Sequence, residues 1–147
     1  MRAMATMFRQ PARQAAALLL GLAAQAWAAA PTPVNVAMSN APDGTQSLRL
    51  DRSQVPAGPV RFVVRNLSAD TVHEFLVAKA PAGPPPMART GSRVDERRLE
   101  GLEELGDLGP GRSGSLSMRL RPGRYVLFCN EPGHFVAGMH AELIVTE

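Results

Sequence analysis

The chain has 147 residues, of which 45% are hydrophobic and 20% are charged. This composition is typical of one small globular domain and excludes a disordered acidic chain, a collagen-like repeat and a membrane protein with several spans. The single cysteine excludes an internal disulfide and metal sites that need several cysteines. Three histidines are too few for an enzyme with several copper ions.

Residues 1–28 have the pattern of a cleavable secretory signal peptide. Arginines precede a short apolar core at residues 15–24, which is too short to cross a bilayer. Ala26, Trp27 and Ala28 then fit the small-x-small motif, so we expect cleavage after Ala28 and a location in the periplasm. A buried alanine-rich helix is the alternative interpretation of this segment.

Cleavage removes the positive charge of the chain. The charged residues of the predicted signal peptide are three arginines, which account for the whole net charge of +3. The remaining residues, 29–147, are therefore neutral, and we expect no nucleic-acid partner and no integral membrane segment. Their number fits one domain with a single core, which we expect to be a monomer.

The rest of the chain is dominated by short runs in which apolar and polar residues alternate, as in half-buried β-strands. One such run places Phe62 and Val64 on one face and Arg61 and Arg65 on the other. Turn signals rich in glycine and proline separate the runs. We therefore predict an all-β fold, a Greek-key β-sandwich of about seven or eight strands.

Residues 80–110 do not follow this alternation. They begin with a stretch rich in proline and glycine, and Leu99, Leu102 and Leu105 then follow at roughly helical spacing. We predict a long insert between two strands, formed by a loop or by a loop with one short helix.

The stretch from Cys129 to Met139 carries the chemically informative residues. It places a thiol, the imidazole of His134 and a thioether within eleven residues, and a second imidazole, His73, begins an earlier predicted strand. Soft sulfur ligands together with imidazole select copper, and two histidines, one cysteine and a distant methionine describe a blue-copper electron-transfer site. We predict that these four residues bind one copper ion, which cycles between Cu(I) and Cu(II).

The same loop contains a histidine that competes for the role of ligand. His140 adjoins Met139, but neighbouring residues at the start of a strand point to opposite faces, so we expect His140 not to be a ligand. The Pro132-Gly133 turn lets the loop fold back, and we expect Gly138 to allow a close backbone approach beside Met139.

At these residues the sequence resembles the cupredoxins, the superfamily of small blue copper proteins that includes plastocyanin and azurin. The resemblance extends over residues 34–145 and is most specific at residues 66–75 and 122–139. The spacing of the ligands is similar to that of rusticyanin, auracyanin and sulfocyanin. Glu74 stands where plastocyanin and azurin have an asparagine that tethers the two ligand loops, so that tether is not carried over to this chain.

The resemblance implies a role for each candidate ligand. His73, Cys129 and His134 would be the trigonal ligands, and Met139 would be a weak axial one. Electrons would pass through the edge of His134, where redox partner proteins would dock weakly against an apolar patch formed by residues 132–138.

We therefore predict an exported, mobile one-electron carrier that is not an enzyme. The alternative is a periplasmic protein for copper storage, delivery or resistance, whose sites tend to be open and rich in methionine and histidine. The methionines of residues 29–147 do not cluster, which weighs against it. A hydrolase with Cys129 as the nucleophile would lack an identifiable acid to orient its histidine.

Overall fold

A computed structural model describes residues 30–147, so the predicted signal peptide at residues 1–28 lies outside the described residues. Within residues 30–147 the chain forms nine β-strands in two sheets. The strands are β1 (Thr32–Asn40), β2 (Gln46–Leu50), β3 (Gln54–Pro56), β4 (Gly58–Asn66), β5 (His73–Lys79), β6 (Glu103–Leu108), β7 (Ser113–Leu120), β8 (Gly123–Phe128) and β9 (His140–Thr146).

The two sheets are mixed. One has the order β2-β1-β4-β7 and the other the order β3-β9-β8-β5-β6. The pairs β1–β4 and β3–β9 are parallel, and the other neighbouring strands are antiparallel. The predicted all-β sandwich is confirmed, with about nine strands rather than the seven or eight expected from the pattern.

The alternating apolar residues of both sheets meet in one core. Phe62 of β4 and Phe75 of β5 are fully buried, and their ring centroids lie 5.7 Å apart across the space between the sheets. The burial of one such side chain stabilises the fold by about 1.5 to 3 kcal/mol. The same face of β4 presents Val60 and Val64 to this core, as the alternation predicted.

The insert covers the outer face of the five-stranded sheet. A second cluster of buried side chains lies there, and its members are Leu76, Ala78, Val94, Val126 and Phe128. Strands β5 and β8 are therefore buried on both faces. Over residues 75–78 and 125–128 neither face of these two strands is open to solvent, which disfavours local opening there.

The insert at residues 80–110 was expected to be a loop or a loop with one short helix, and within the described residues it forms no α-helix. A 3₁₀ turn spans Glu96–Arg98, and the residues that follow enter strand β6. Leu99 and Leu102 pack on the outer cluster, whereas Leu105 packs on the main core, so the three leucines do not share one face. Gly101, with a φ of +60°, also has a backbone conformation that an α-helix excludes.

Charge is divided between the two sheets. The strands of the four-stranded sheet contain four arginines and no acidic residue. The strands of the five-stranded sheet contain five acidic residues and two basic ones. The described part of the chain, residues 30–147, contains no helix of the length and apolarity that a membrane crossing requires.

Candidate metal centre

The fold brings three of the four predicted ligands to one end of two neighbouring strands. His73 is the first residue of β5, Cys129 directly follows β8, and His134 lies in the loop that joins β8 to β9. Their donor atoms all lie within 4.8 Å of one another. The two Nδ1 atoms are 3.3 Å apart, and Cys129 Sγ is 3.3 Å from Nδ1 of His134 and 4.0 Å from Nδ1 of His73.

Met139 and His140 point to different environments. Met139 is fully buried and belongs to the same core cluster as Cys129. His140 is exposed, and its ring stacks on Phe135 with centroids 4.7 Å apart. The alternation expected at the start of β9 is therefore present, with the thioether on the side of the core and the imidazole on the outside.

Backbone hydrogen bonds fold the loop back toward its own beginning. The amide of Met139 donates to the carbonyl of His134 (3.0 Å), and the amide of Cys129 donates to the carbonyl of Met139 (3.1 Å). Gly133 and Gly138 have φ angles of +85° and +99°, which favour glycine. A Cβ at Gly138 would meet only ordinary van der Waals contact, so the expected close approach is wrong and the positive φ is the reason for this glycine.

A network of buried polar side chains holds His73. Its Nε2 is hydrogen-bonded to Ser68 Oγ at 2.8 Å, which leaves Nδ1 to face the other donors. Ser68 Oγ accepts the amide of Asn40, and the Ser68 amide donates to Asn66 Oδ1. Asn66 Nδ2 in turn donates to the carbonyls of Thr71 and Leu108 at 2.8 Å each. Such outer partners fix the orientation of a ligand ring.

Sequence reasoning did not identify Ser68 and Asn66 as functional residues. Both types of side chain are usually exposed, so alternation alone assigns them to a turn. The available signal was their position in the segment from residue 66 to residue 75, which carried the resemblance.

Burial controls the protonation of the donors. It raises the pKa of the Cys129 thiol to about 11, although the backbone amides of Glu131 and Glu74 oppose the shift. Burial lowers the pKa of His73 to about 4, with a smaller contribution from His134, whose own pKa is also lowered by burial. Both imidazoles are therefore neutral at pH 7, with a nitrogen lone pair available to a metal ion.

The residue that replaces the asparagine of plastocyanin and azurin forms no tether. Glu74 donates its backbone amide to Cys129 Sγ at 3.4 Å, but its buried Oε2 has no hydrogen-bond partner among residues 30–147. Burial and neighbouring carboxylates, first that of Glu96, raise the pKa of Glu74 to about 7. The buried side chain of Asn130, next to Cys129, is instead hydrogen-bonded to the backbone of Val94 in the insert.

The surface beside His134 is apolar. His134 is partly buried, and the loop residues around it include Pro132 and Val136, of which Val136 is 66% exposed. The nearby carboxylate of Glu131 lies 3.6 Å from the guanidinium of Arg93. This carboxylate, which adjoins the apolar patch in the sequence, is thus paired.

The donor set fits one soft metal ion. Nitrogen and sulfur ligands lie about 2.0 to 2.3 Å from a transition metal ion, so three of them in one plane are separated by roughly 3.5 to 4 Å. The observed separations of 3.3, 3.3 and 4.0 Å are close to this range. Two imidazoles, one thiol and a buried thioether nearby suit a single copper ion of the blue type. The two-sheet sandwich with this donor set at one end agrees with the resemblance to the cupredoxins.

Comparisons with known proteins agree on the fold. No family model matches the sequence, and no curated protein matches it. A solved structure of dithionite-reduced auracyanin from the photosynthetic bacterium Roseiflexus castenholzii is similar to this chain. It has a TM-score of 0.54 and 23% identity, and the match covers 81% of this chain and 99% of that one.

Two further solved structures show the same likeness. Auracyanin B matches with a TM-score of 0.52 and 23% identity, over 81% of this chain and 92% of its own. Rusticyanin from Thiobacillus ferrooxidans matches with a TM-score of 0.51 and 19% identity, over 80% of this chain and 79% of its own. The chain therefore has the fold of the auracyanins and rusticyanin.

Proposed function

We propose that this protein is a one-electron carrier with a type 1 copper site formed by His73, Cys129, His134 and Met139. The observation that carries the proposal is the convergence of two imidazole nitrogens and one thiol sulfur within 4.8 Å in a largely buried pocket. The copper would supply a one-electron couple between Cu(I) and Cu(II). We infer that His73, Cys129 and His134 would hold the copper and that Met139 would be the weakest of its four donors.

The protein would hold one ligand arrangement in both oxidation states. His73 and Cys129 are anchored to β5 and β8, which are buried on both faces, and the Ser68 hydrogen bond fixes the ring of His73. Ligands that do not move on reduction favour fast electron transfer. Burial of the donors excludes water, which would add a ligand preferred by Cu(II) alone.

Electrons would enter and leave through His134, the one candidate ligand that is partly exposed. Redox partner proteins would dock weakly on the apolar patch of residues 132–138, of which Val136 is the most exposed large side chain. Weak redox encounters use small interfaces, which allow rapid release. We propose a monomer that needs no substrate site and is not an enzyme.

Two of the similar solved structures are those of a dithionite-reduced auracyanin and a reduced rusticyanin, and these redox states support an electron-transfer function. Copper storage or delivery is less favoured, because His73, Cys129 and Met139 are fully buried and copper would exchange slowly. The signal-peptide pattern predicted for residues 1–28 supports a proposed periplasmic location.

The test is to load residues 29–147 with Cu(II) and record visible and electron-paramagnetic-resonance spectra. We expect an intense visible band and a small copper hyperfine splitting, both reversibly lost on reduction. Zinc-loaded protein is the control and should be colourless. A weakly coloured Cu(II) complex with ordinary hyperfine splitting would contradict the proposal. Fractionation of the cells that express the full chain tests export, which a retained residue 1–28 segment would contradict.

A further inference from the structure

We propose that the insert helps to position the ligands of the metal centre. Asn130 is the positioning residue through which the insert holds the segment between Cys129 and His134. This inference rests on the proposed function. It assigns a role to a region that the resemblance to plastocyanin leaves without one.

Asn130 joins the ligand loop to the insert through its whole amide group. Its side chain is buried, with 1% of the residue exposed. Its Oδ1 accepts the amide of Val94 at 2.7 Å, and its Nδ2 donates to the carbonyl of Val94 at 3.2 Å and to Glu96 Oε1 at 2.5 Å. The two bonds to Val94 imitate a backbone strand pair, so the side chain fixes the position of residue 130 in two directions.

Three consecutive insert residues contact the loop in antiparallel order. Val94 binds Asn130, Arg93 forms a 3.6 Å ion pair with Glu131, and the carbonyl of Ser92 accepts the amide of Gly133 at 2.7 Å. The insert residues therefore run beside the loop residues that separate the two predicted ligands.

The insert is itself fixed to the sheet. Val94 is buried in the outer cluster with Phe128, the residue that precedes Cys129. Phe135, which follows His134, packs on the same cluster and meets Phe128 at a centroid distance of 5.8 Å. The predicted ligands Cys129 and His134 are thus each adjacent to a phenylalanine that packs under the insert.

The loop has little internal support between these two ligands. Within residues 129–134, the backbone hydrogen bond is that from the amide of His134 to the carbonyl of Glu131. The positions of Sγ and Nδ1 therefore depend on contacts from beyond residues 129–134. Backbone hydrogen bonds to Met139 hold Cys129 and His134, and the insert holds the segment between them. A positioning role follows: the insert presets the separation of Cys129 and His134 before copper binds.

The central experiment compares Asn130→Ala with Tyr125→Phe. Tyr125 is a buried residue of β8, the strand that precedes the loop. Its hydroxyl is hydrogen-bonded to the backbone of Arg121, away from the candidate ligands. We expect Asn130→Ala to release copper to an excess of chelator about tenfold faster and to alter the visible and paramagnetic spectra. Tyr125→Phe should lower the melting temperature and leave the release rate and the spectra unchanged.

A measurement on the copper-free protein separates this inference from the proposed function. In Asn130→Ala, hydrogen exchange at the amides of Val94 and Gly133 should be faster than in the wild type, and amides of β1 should be unaffected. If the wild type binds no copper with intense colour, the proposed function fails, but the exchange experiment still tests the hold of the insert.

A milder variant guards against failure to fold. Glu96→Ala removes one of the three Asn130 hydrogen bonds, at a half-buried position of the 3₁₀ turn, and we expect a smaller increase in the release rate than in Asn130→Ala. If Asn130→Ala does not fold, the copper release rate and the spectra of Glu96→Ala decide the test. Unchanged release and spectra in the folded Asn130→Ala, or in Glu96→Ala where only that variant folds, would overturn the proposal.

Discussion

The two arms of the candidate metal centre are built differently. His73 is held by a network of buried side chains, with Ser68 and Asn66 at its centre. The loop from Cys129 to Met139 is held by backbone hydrogen bonds and by the insert. Loss of a side chain that holds His73 should therefore lower the free energy of unfolding of the whole domain. Loss of a contact that holds the loop from Cys129 to Met139 should change copper binding more than the free energy of unfolding.

Cys129→Ser tests the second arm at its most sensitive point, and we expect the largest effect. A hydroxyl cannot supply thiolate-to-copper charge transfer, so the intense visible band should be lost completely. His140→Ala is the matched control, since His140 is exposed and faces away from the donors. The spectra of both variants are measured after copper titration. Full colour in Cys129→Ser would contradict the assignment of the thiol as a ligand.

Asn66→Ala tests the first arm. The change leaves the carbonyls of Thr71 and Leu108 and the amide of Ser68 without their partner. We expect the copper-free protein to lose about 2 to 3 kcal/mol in its free energy of unfolding, measured with urea.

The control for Asn66→Ala is Asn35→Ala. Asn35 is an exposed asparagine that is also hydrogen-bonded, in this case to Asp51. Its removal should change the free energy of unfolding by about 0.5 kcal/mol or less. Equal losses in the two variants would show that the buried network has no special importance for stability.

Met139→Leu should have a smaller effect than the loss of a trigonal ligand. Axial bonds in blue-copper sites are long and weak, so the variant should bind copper and keep strong colour. Its reduction potential should rise, because loss of the thioether disfavours Cu(II). Voltammetry of Met139→Leu and His140→Ala checks this. A shift in His140→Ala without one in Met139→Leu would make His140 the ligand.

The pH dependence of the copper-free protein should show the smallest effect, because two groups oppose each other. His73, with a pKa lowered from 6.5 to about 4, stabilises the fold above pH 6.5, and this contribution is lost as the pH falls toward 4. Glu74, with a pKa raised from 4.5 to about 7, stabilises it below pH 4.5, and this contribution is lost as the pH rises through 7.

The two slopes can be separated with Glu74→Gln. The wild type should show only a small rise in stability between about pH 4.5 and 6.5, because the raised pKa of Glu74 offsets the lowered pKa of His73 but not that of His134. The variant should gain stability more steeply as the pH rises over the same range, because the contributions of His73 and His134 remain without that of Glu74. Urea unfolding at a series of pH values measures both profiles. Parallel profiles would show that the environment of Glu74 does not perturb its titration.

The sequence permitted prediction of the loop because its features are local. Cys129, His134 and Met139 lie within eleven residues, and glycines mark the turns between them. His73 was found because it begins an alternating strand. The partners of His73 were not found, since the burial of an asparagine and a serine depends on the packing of distant strands.

The insert shows where local pattern fails. The spacing of the leucines indicated a short helix, but these leucines pack on two different hydrophobic clusters. The two clusters become separate only when the sheets have formed. A usable signal was present in β5 and β8, whose continuous apolar runs (Phe75 to Ala78 and Tyr125 to Phe128) indicate strands buried on both faces. Those runs required a covering segment, and residues 80–102 provide it.

The division of charge between the strands of the two sheets contributes an electric dipole. Four arginines lie in the strands of one sheet, and acidic residues outnumber basic ones in the strands of the other. A dipole experiences a torque in the field of a charged body, and this torque acts before contact, over about 8 to 10 Å at ordinary ionic strength. The molecule would therefore arrive at a charged surface already turned, with one sheet leading, and added salt would make its approach random.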